Sequence, residues 1–192
     1  MNYYIDITLI QDAEANLGFL WEKVYQQVHL ALVENKTEEN TSQIGLSIPE
    51  YGSSMFPLGS KMRLFSSNEQ LLRQLDIGKW LNRLTDYVHF TSVRAVPGSV
   101  EQFAVFKRIR FDGNAERLAR RRAKRKGESF EQALKHYEGY KQPQTDLPFI
   151  NLKSLSDGQW FKLFIKKELV DSSELGTFSC YGLSQRATVP WF

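Results

Sequence analysis

The chain has 192 residues, 42% of them hydrophobic and 24% charged, with a formal net charge of +3. That composition excludes a disordered tail or a fibrous protein, supplies enough apolar material for a core, and at about 150 residues per domain allows one large domain or two small ones. No apolar run reaches the ~18 to 20 residues of a membrane span, and the opening Met1-Asn2-Tyr3-Tyr4-Ile5-Asp6 lacks the form of a signal peptide, so a cytoplasmic protein with no membrane partner is expected.

The first half reads as a βαββαβ unit. Tyr3, Ile5, Ile7 and Leu9 alternate with Tyr4, Asp6 and Thr8, which predicts a strand, and Leu17, Leu20, Trp21, Val24, Val28, Ala31 and Leu32 recur at helical spacing. On that helix His29 lies about 120° from the centre of the apolar stripe, at the edge of the buried face. There an imidazole with an ordinary pKa of about 6.5 could transfer protons, although a lone helical histidine is more often structural. Strands are predicted over Gln43 to Ile48 and Lys61 to Phe65, a capping box of Ser67 and Gln70 opens a helix through Leu75, and Tyr87 to Val93 supplies a further strand. Pro97-Gly98 is the expected boundary between domains 1–97 and 98–192.

Phe103, Val105, Lys107, Ile109 and Phe111 alternate with Ala104, Phe106, Arg108 and Arg110, which predicts a strand with Arg108 and Arg110 about 7 Å apart on one face. Two guanidinium forks so held suit guanine edges or neighbouring phosphates, and an exposed strand face is the plain alternative. The segment Lys107 to Lys126 holds ten of the 25 basic residues and two of the 22 acidic ones, which leaves 15 basic and 20 acidic residues elsewhere. An acidic body with one concentrated cationic element points to a polyanion partner. Asn114 and Gly127 bracket a predicted helix over Ala115 to Lys126, with Arg117, Arg120, Arg121, Lys124 and Arg125 on one face. Its other side offers Leu118 and alanines, too little apolar surface to bury, so the helix needs either solvent or a phosphate backbone around it.

A further helix is expected from about Ser129 to Gly139, and strands at Pro148 to Lys153 and Gln159 to Lys167 flank the turn Ser154-Leu155-Ser156-Asp157-Gly158. Trp160 and Phe161 face opposite ways on a strand, so one of them could present an exposed aromatic ring to a base. Ser154, Ser156, Tyr181 and Ser184 could all be ordinary turn residues. Cys180 has no disulfide or CxxC partner, and His29, His89 and His136 show no metal-binding spacing, so no metal and no cofactor is expected; scattered carboxylates could still converge on magnesium. These residues describe an RNA-binding α+β protein: an N-terminal ferredoxin-like βαββαβ domain and a C-terminal α+β domain carrying an arginine-rich helix.

The chain resembles the repeat-processing endoribonucleases of type I-F CRISPR systems, members of the RAMP superfamily. The resemblance rests on Tyr4-Ile5-Asp6-Ile7, Val28-His29-Leu30-Ala31-Leu32-Val33, Ile44-Gly45-Leu46-Ser47-Ile48-Pro49, Glu116-Arg117-Leu118 running into the arginines, Asp146-Leu147-Pro148-Phe149, Gly158-Gln159-Trp160-Phe161-Lys162-Leu163-Phe164-Ile165, Cys180-Tyr181-Gly182-Leu183-Ser184 and Val189-Pro190-Trp191-Phe192. It implies metal-independent cleavage at the base of a CRISPR repeat RNA stem-loop by attack of a ribose 2′-hydroxyl, leaving a 2′,3′-cyclic phosphate and a 5′-hydroxyl. It implies product retention and, as partners, the other protein subunits of the type I-F RNA-guided surveillance complex.

By position, the resemblance makes His29 the general base, Ser154 the residue that fixes the ribose, and Tyr181 a support for the histidine or the phosphate. It likewise makes Arg108 and Arg110 base readers, Arg117, Arg120, Arg121, Lys124 and Arg125 phosphate contacts, Ser156 an RNA contact and Phe161 a stacking ring. Arg110 stands where relatives carry glutamine, Asp157 where they carry a hydroxyl residue, and Arg122 where an apolar residue is usual. The alternatives are a stem-loop binder without turnover and a metal-dependent nuclease.

Overall fold

The period-two pattern of Tyr3–Leu9 becomes the central strand β1 of an antiparallel sheet. It is followed by α1 (Leu17–Glu34), whose first turn is capped by Asn16 Oδ1 accepting from Phe19 N–H at 3.0 Å. Then come β2 (Thr41–Ser42), β3 (Gly45–Ser47), β4 (Lys61–Ser66), α2 (Glu69–Leu75), α3 (Ile77–Leu81), β5 (Val88–Phe90), β6 (Arg94–Ala95) and β7 (Phe103–Ile109). The remainder holds α4 (Ala115–Lys126), α5 (Phe130–Lys135), β8 (Phe149–Lys153), β9 (Trp160–Val170), β10 (Phe178–Ser179) and β11 (Val189–Pro190). The computed structural model describes residues 1–53, 55–111, 115–140 and 144–192, and Asn114, the expected cap of α4, lies outside them.

The chain is α+β and forms two compact units, Met1–Arg108 with Pro148–Phe192, and Ile109–Leu147. In the larger unit the first sheet runs β3-β4-β1-β5, antiparallel at every pairing, which is the ferredoxin-like order of the expected βαββαβ unit. A second sheet runs β11-β7-β9-β8, and α1 packs on both β1 and β8. The apolar stripe of α1 explains this double packing: Leu20, Trp21, Val24, Tyr25, Val28, Ala31 and Leu32 are all buried. Among the described residues no helix is long and apolar enough to cross a membrane.

Four expectations are corrected. Asn68, not Ser67, caps α2, accepting from Gln70 N–H at 2.8 Å; both residues can cap, and the chain uses the one nearer the helix. The strand containing Arg108 stops at Ile109, so Arg110 stands beyond it, exposed. Alternation reports the face a residue would take, not how far the partner strand runs. Of the strand expected from Tyr87 to Val93 only β5, Val88–Phe90, forms, and β6 begins just beyond it at Arg94; the two pair with different parts of β1. In the smaller unit α4 does bury a face: it packs on α5, and Ala119 and Ala133 are both fully covered, because small side chains let the two backbones approach.

The first sheet contains a buried ion pair. Asp6 and Arg63 sit directly opposite on β1 and β4, and the guanidinium donates to both carboxylate oxygens, from Nε at 2.5 Å and Nη2 at 3.1 Å. Its remaining edge donates to the main-chain oxygen of Phe192 at 2.8 Å, and its face lies 4.0 Å from the Phe192 ring and 4.7 Å from that of Tyr4. One arginine thereby ties the C-terminal residues to the sheet. Asp6→Ala leaves a buried guanidinium without its counter-charge and is expected to cost about 3–5 kcal/mol in chemical denaturation; a loss under about 1 kcal/mol contradicts that role.

Candidate active site

One cleft of about 270 Å³ in the larger unit is lined by His29, Ser154, Ser156, Phe161 and Tyr181, together with Gln26, Leu30, Val33, Leu152, Lys153 and Leu155. Five side chains singled out from the sequence, drawn from three separate stretches of the chain, thus share one site.

His29 projects from α1 and is held on two sides. Its Nδ1 lies 2.9 Å from the Cys180 carbonyl oxygen, and its ring stacks on Tyr181 with centroids 4.2 Å apart and planes 6° from parallel. A carbonyl can only accept, so Nδ1 carries the hydrogen and Nε2 keeps its lone pair. Burial and the nearby Arg108 charge push the pKa of His29 below the ordinary imidazole value, while the bond to Cys180 pulls it upward; burial is the largest effect and the net direction is down. The neutral form, competent as a base, therefore dominates at neutral pH.

The loop that supplies Cys180 and Tyr181 is rigid for backbone reasons. β10 pairs with β2, Ser179 N–H donates to the Leu183 carbonyl at 2.8 Å, and Ser179 Oγ accepts from Tyr181 N–H at 3.3 Å. Gly182 takes φ 69°, and a Cβ there would lie 2.7 Å from that of Leu46, so only glycine fits against β3. Tyr25 of α1 donates its hydroxyl hydrogen to the Tyr181 carbonyl at 2.7 Å, which joins the loop to the helix bearing His29.

Arg108, near the end of β7, lies with its guanidinium carbon 4.8 Å from the Tyr181 ring and 5.4 Å from the Phe161 ring. A cation between two aromatic faces is pre-placed beside the cleft. The turn between β8 and β9 brings up the hydroxyls, with Ser154 Oγ 3.1 Å from Ser156 Oγ. Asp157 secures that turn: hydrogen bonds from the Ser154 side chain and from Gln159 N–H, the latter at 3.1 Å, hold its carboxyl below the usual carboxylate range. The acid is thus part of the turn's own hydrogen bonding.

The other candidates stand elsewhere. Arg110, Arg117, Arg120, Arg121, Lys124 and Arg125 belong to the smaller unit, and the arginine-rich helix carries five of them. Arg122 behaves differently from its neighbours, half-buried and donating to Glu128 at 2.5 Å and to His136 Nε2 at 3.1 Å. That explains a charge at an expected apolar position. Ser184 accepts from Arg186 and Ala187 N–H, so it is a turn residue, and His89 is exposed on β5. The Cys180 carbonyl and the Tyr25 hydroxyl were missed from the sequence; the first is a backbone group and leaves no side-chain signal. Among the described residues no three His, Cys, Asp or Glu converge as a metal-binding group.

The profile of a CRISPR-associated protein family, Cas_Csy4, matches residues 4–192. The chain belongs to this family. It is 35% identical to an Escherichia coli (strain UTI89 / UPEC) protein and 36% identical to one from Pseudomonas aeruginosa (strain UCBPP-PA14), each alignment covering 100% of both chains. Both relatives are named CRISPR-associated endonuclease Cas6/Csy4. Among solved structures, a Cas6-related protein from Pyrococcus furiosus aligns over 99% of this chain and 98% of its own, at 11% identity and a TM-score of 0.37. The family resemblance read from the sequence is confirmed.

The electrostatics of this Csy4-family cleft can be checked directly. An NMR titration of His29 should give a midpoint below about 6.5, the ordinary imidazole value. Arg108→Gln removes a charge that opposes protonation and should move the midpoint upward; an unchanged or lower midpoint contradicts the assigned cause.

Proposed function

We propose that this chain is a metal-independent endoribonuclease that binds the stem-loop of CRISPR repeat RNA and cuts at its base. The observation that carries the reading is the shared cleft of His29, Tyr181, Ser154, Ser156 and Phe161, in a chain whose endonuclease relatives align with it end to end. His29 Nε2 takes the proton of the ribose 2′-hydroxyl, and the 2′-oxygen attacks the adjacent phosphorus. The bond from phosphorus to the 5′-oxygen breaks, leaving a 2′,3′-cyclic phosphate on the retained stem-loop; the departing 5′-oxygen takes a proton from solvent to become a hydroxyl, and His29 Nε2 releases to solvent the proton it accepted. The nucleophile already belongs to the substrate, so the protein has to supply orientation and proton transfer rather than a metal-bound hydroxide.

Ser154, placed by the β8–β9 turn, fixes the ribose, and Ser156 contacts the RNA beside it. Tyr181 holds the imidazole plane, Phe161 stacks beneath the terminal pair, and Arg108 reads a base edge low in the stem while its charge adds to the burial that lowers the pKa of His29. In the smaller unit, Arg110 reads a second base, and Arg117, Arg120, Arg121, Lys124 and Arg125 contact phosphates along the stem. The product remains bound, and the chain joins other protein subunits of a type I-F RNA-guided surveillance complex.

Incubation of the purified protein with repeat stem-loops in excess EDTA, with the product termini identified, tests substrate and chemistry together. Retained cleavage with a cyclic phosphate is expected, and complete loss in EDTA contradicts the mechanism. His29→Ala should slow cleavage by about 10²–10⁴-fold, the worth of a positioned general base, and leave stem-loop affinity nearly unchanged. Unchanged cleavage removes His29 from the chemistry, and no turnover by either protein returns the chain to a binding role.

Replacing Arg117, Arg120 and Arg121 together with alanine should flatten the salt dependence of binding, by up to about one unit of log–log slope for every phosphate no longer neutralised. An unchanged slope contradicts the assignment of these arginines.

A further inference from the structure

Trp160 has no place in the chemistry above, yet the residue is 59% exposed, an unusual position for one with so large an apolar ring. It opens β9 directly opposite Lys153, the residue before Ser154. Together these two line a groove of about 760 Å³ whose other charged residues are Glu22, Lys23, Lys79 and Arg83. The acid is already engaged, accepting from Lys23 Nζ at 2.7 Å. Four cations and one paired acid run against the rest of the protein, since outside Lys107 to Lys126 the chain carries 15 basic and 20 acidic residues. The groove is also continuous with the cleft that holds His29, because Gln26, Lys153 and Leu155 line both.

We propose that this groove is a subsite for single-stranded RNA beyond the scissile bond, with a base stacked on Trp160 and phosphates held by Lys79, Arg83 and Lys153. The inference rests on the endoribonuclease reading. If the ribose that supplies the 2′-hydroxyl is the last of the stem, the strand on the departing 5′-oxygen side is unpaired and its bases are free to stack. An exposed indole beside lysine and arginine is the combination that binds single strands without reading their sequence, since every base has a π-face and every linkage a phosphate. Charge complementarity favours this occupant over an apolar protein segment.

The test uses three RNAs made uncleavable by a 2′-deoxy sugar at the scissile position: the stem-loop ending there, the same with an unpaired extension beyond the bond, and the same with an unpaired extension on the other strand. The wild-type chain should bind the second more tightly than the first. Trp160→Ala should erase that gain, a loss of about tenfold, within the range of one base–aromatic stack. It should leave the bare stem-loop unaffected, and Trp160→Phe should restore most of the gain. Lys79→Ala with Arg83→Ala should also lower the gain and reduce the salt slope by about 0.7 for each phosphate left without its cation.

Equal weakening of all three RNAs, no gain from the extension, or a gain that follows the other strand overturns the proposal; the first two outcomes would leave the groove to a protein partner or to folding. Wild-type cleavage of the corresponding all-ribose RNA is read separately. If that cleavage fails, the endoribonuclease reading has failed; if it succeeds while the extension adds nothing, only the subsite has.

Discussion

A carbonyl oxygen has no hydrogen to give, and that asymmetry sets the state of the imidazole, the cleft side chain suited to moving a proton near neutrality. With the Cys180 carbonyl 2.9 Å from Nδ1, the ring must place its hydrogen there, so Nε2 remains an acceptor. The parallel Tyr181 ring fixes the imidazole plane, and Arg108, set against the cleft's aromatic rings, adds a charge that resists a second proton. Each of these interactions is individually small, with an aromatic pair worth about 0.5–1.5 kcal/mol beyond its burial. Their joint effect is a base poised in one tautomer and one orientation.

The architecture of the larger unit exists, from the site's point of view, to bring that carbonyl to that helix. The apolar stripe of α1 packs on both sheets, which leaves His29 at the margin of the buried face. Gly182 lets the chain pass close enough to Leu46 for the Cys180–Tyr181 loop to reach the histidine, and Tyr25 locks loop to helix through the Tyr181 carbonyl. The β8–β9 turn adds the serines, held by hydrogen bonds that include the exposed Asp157. A residue that looks foreign to the chemistry is thereby part of the scaffold.

Much of this was legible in the sequence, for reasons that differ by element. β1 and α1 carry long, regular apolar patterns, so their periods identify them and place His29 at the edge of its stripe. The bounds of α4 follow from charge density and from Gly127, which ends it at φ 69°. The short α3 escaped notice because five residues containing Gly78 hold no readable period. The packing of α4 on α5 escaped because Ala119 and Ala133 contribute little hydrophobic signal, although both are fully buried. The partner of His29 was invisible in principle: a main-chain carbonyl has the same chemistry at every position, and only folding selects Cys180.

The tautomer of His29 is the property on which the account stands, and nitrogen-15 chemical shifts of the imidazole at neutral pH measure it. A protonated Nδ1 beside a bare, pyridine-type Nε2 is the predicted result. A hydrogen on Nε2, or a doubly protonated ring at pH 7, would contradict it, since neither form could take a proton from a substrate hydroxyl through the nitrogen that Cys180 leaves open.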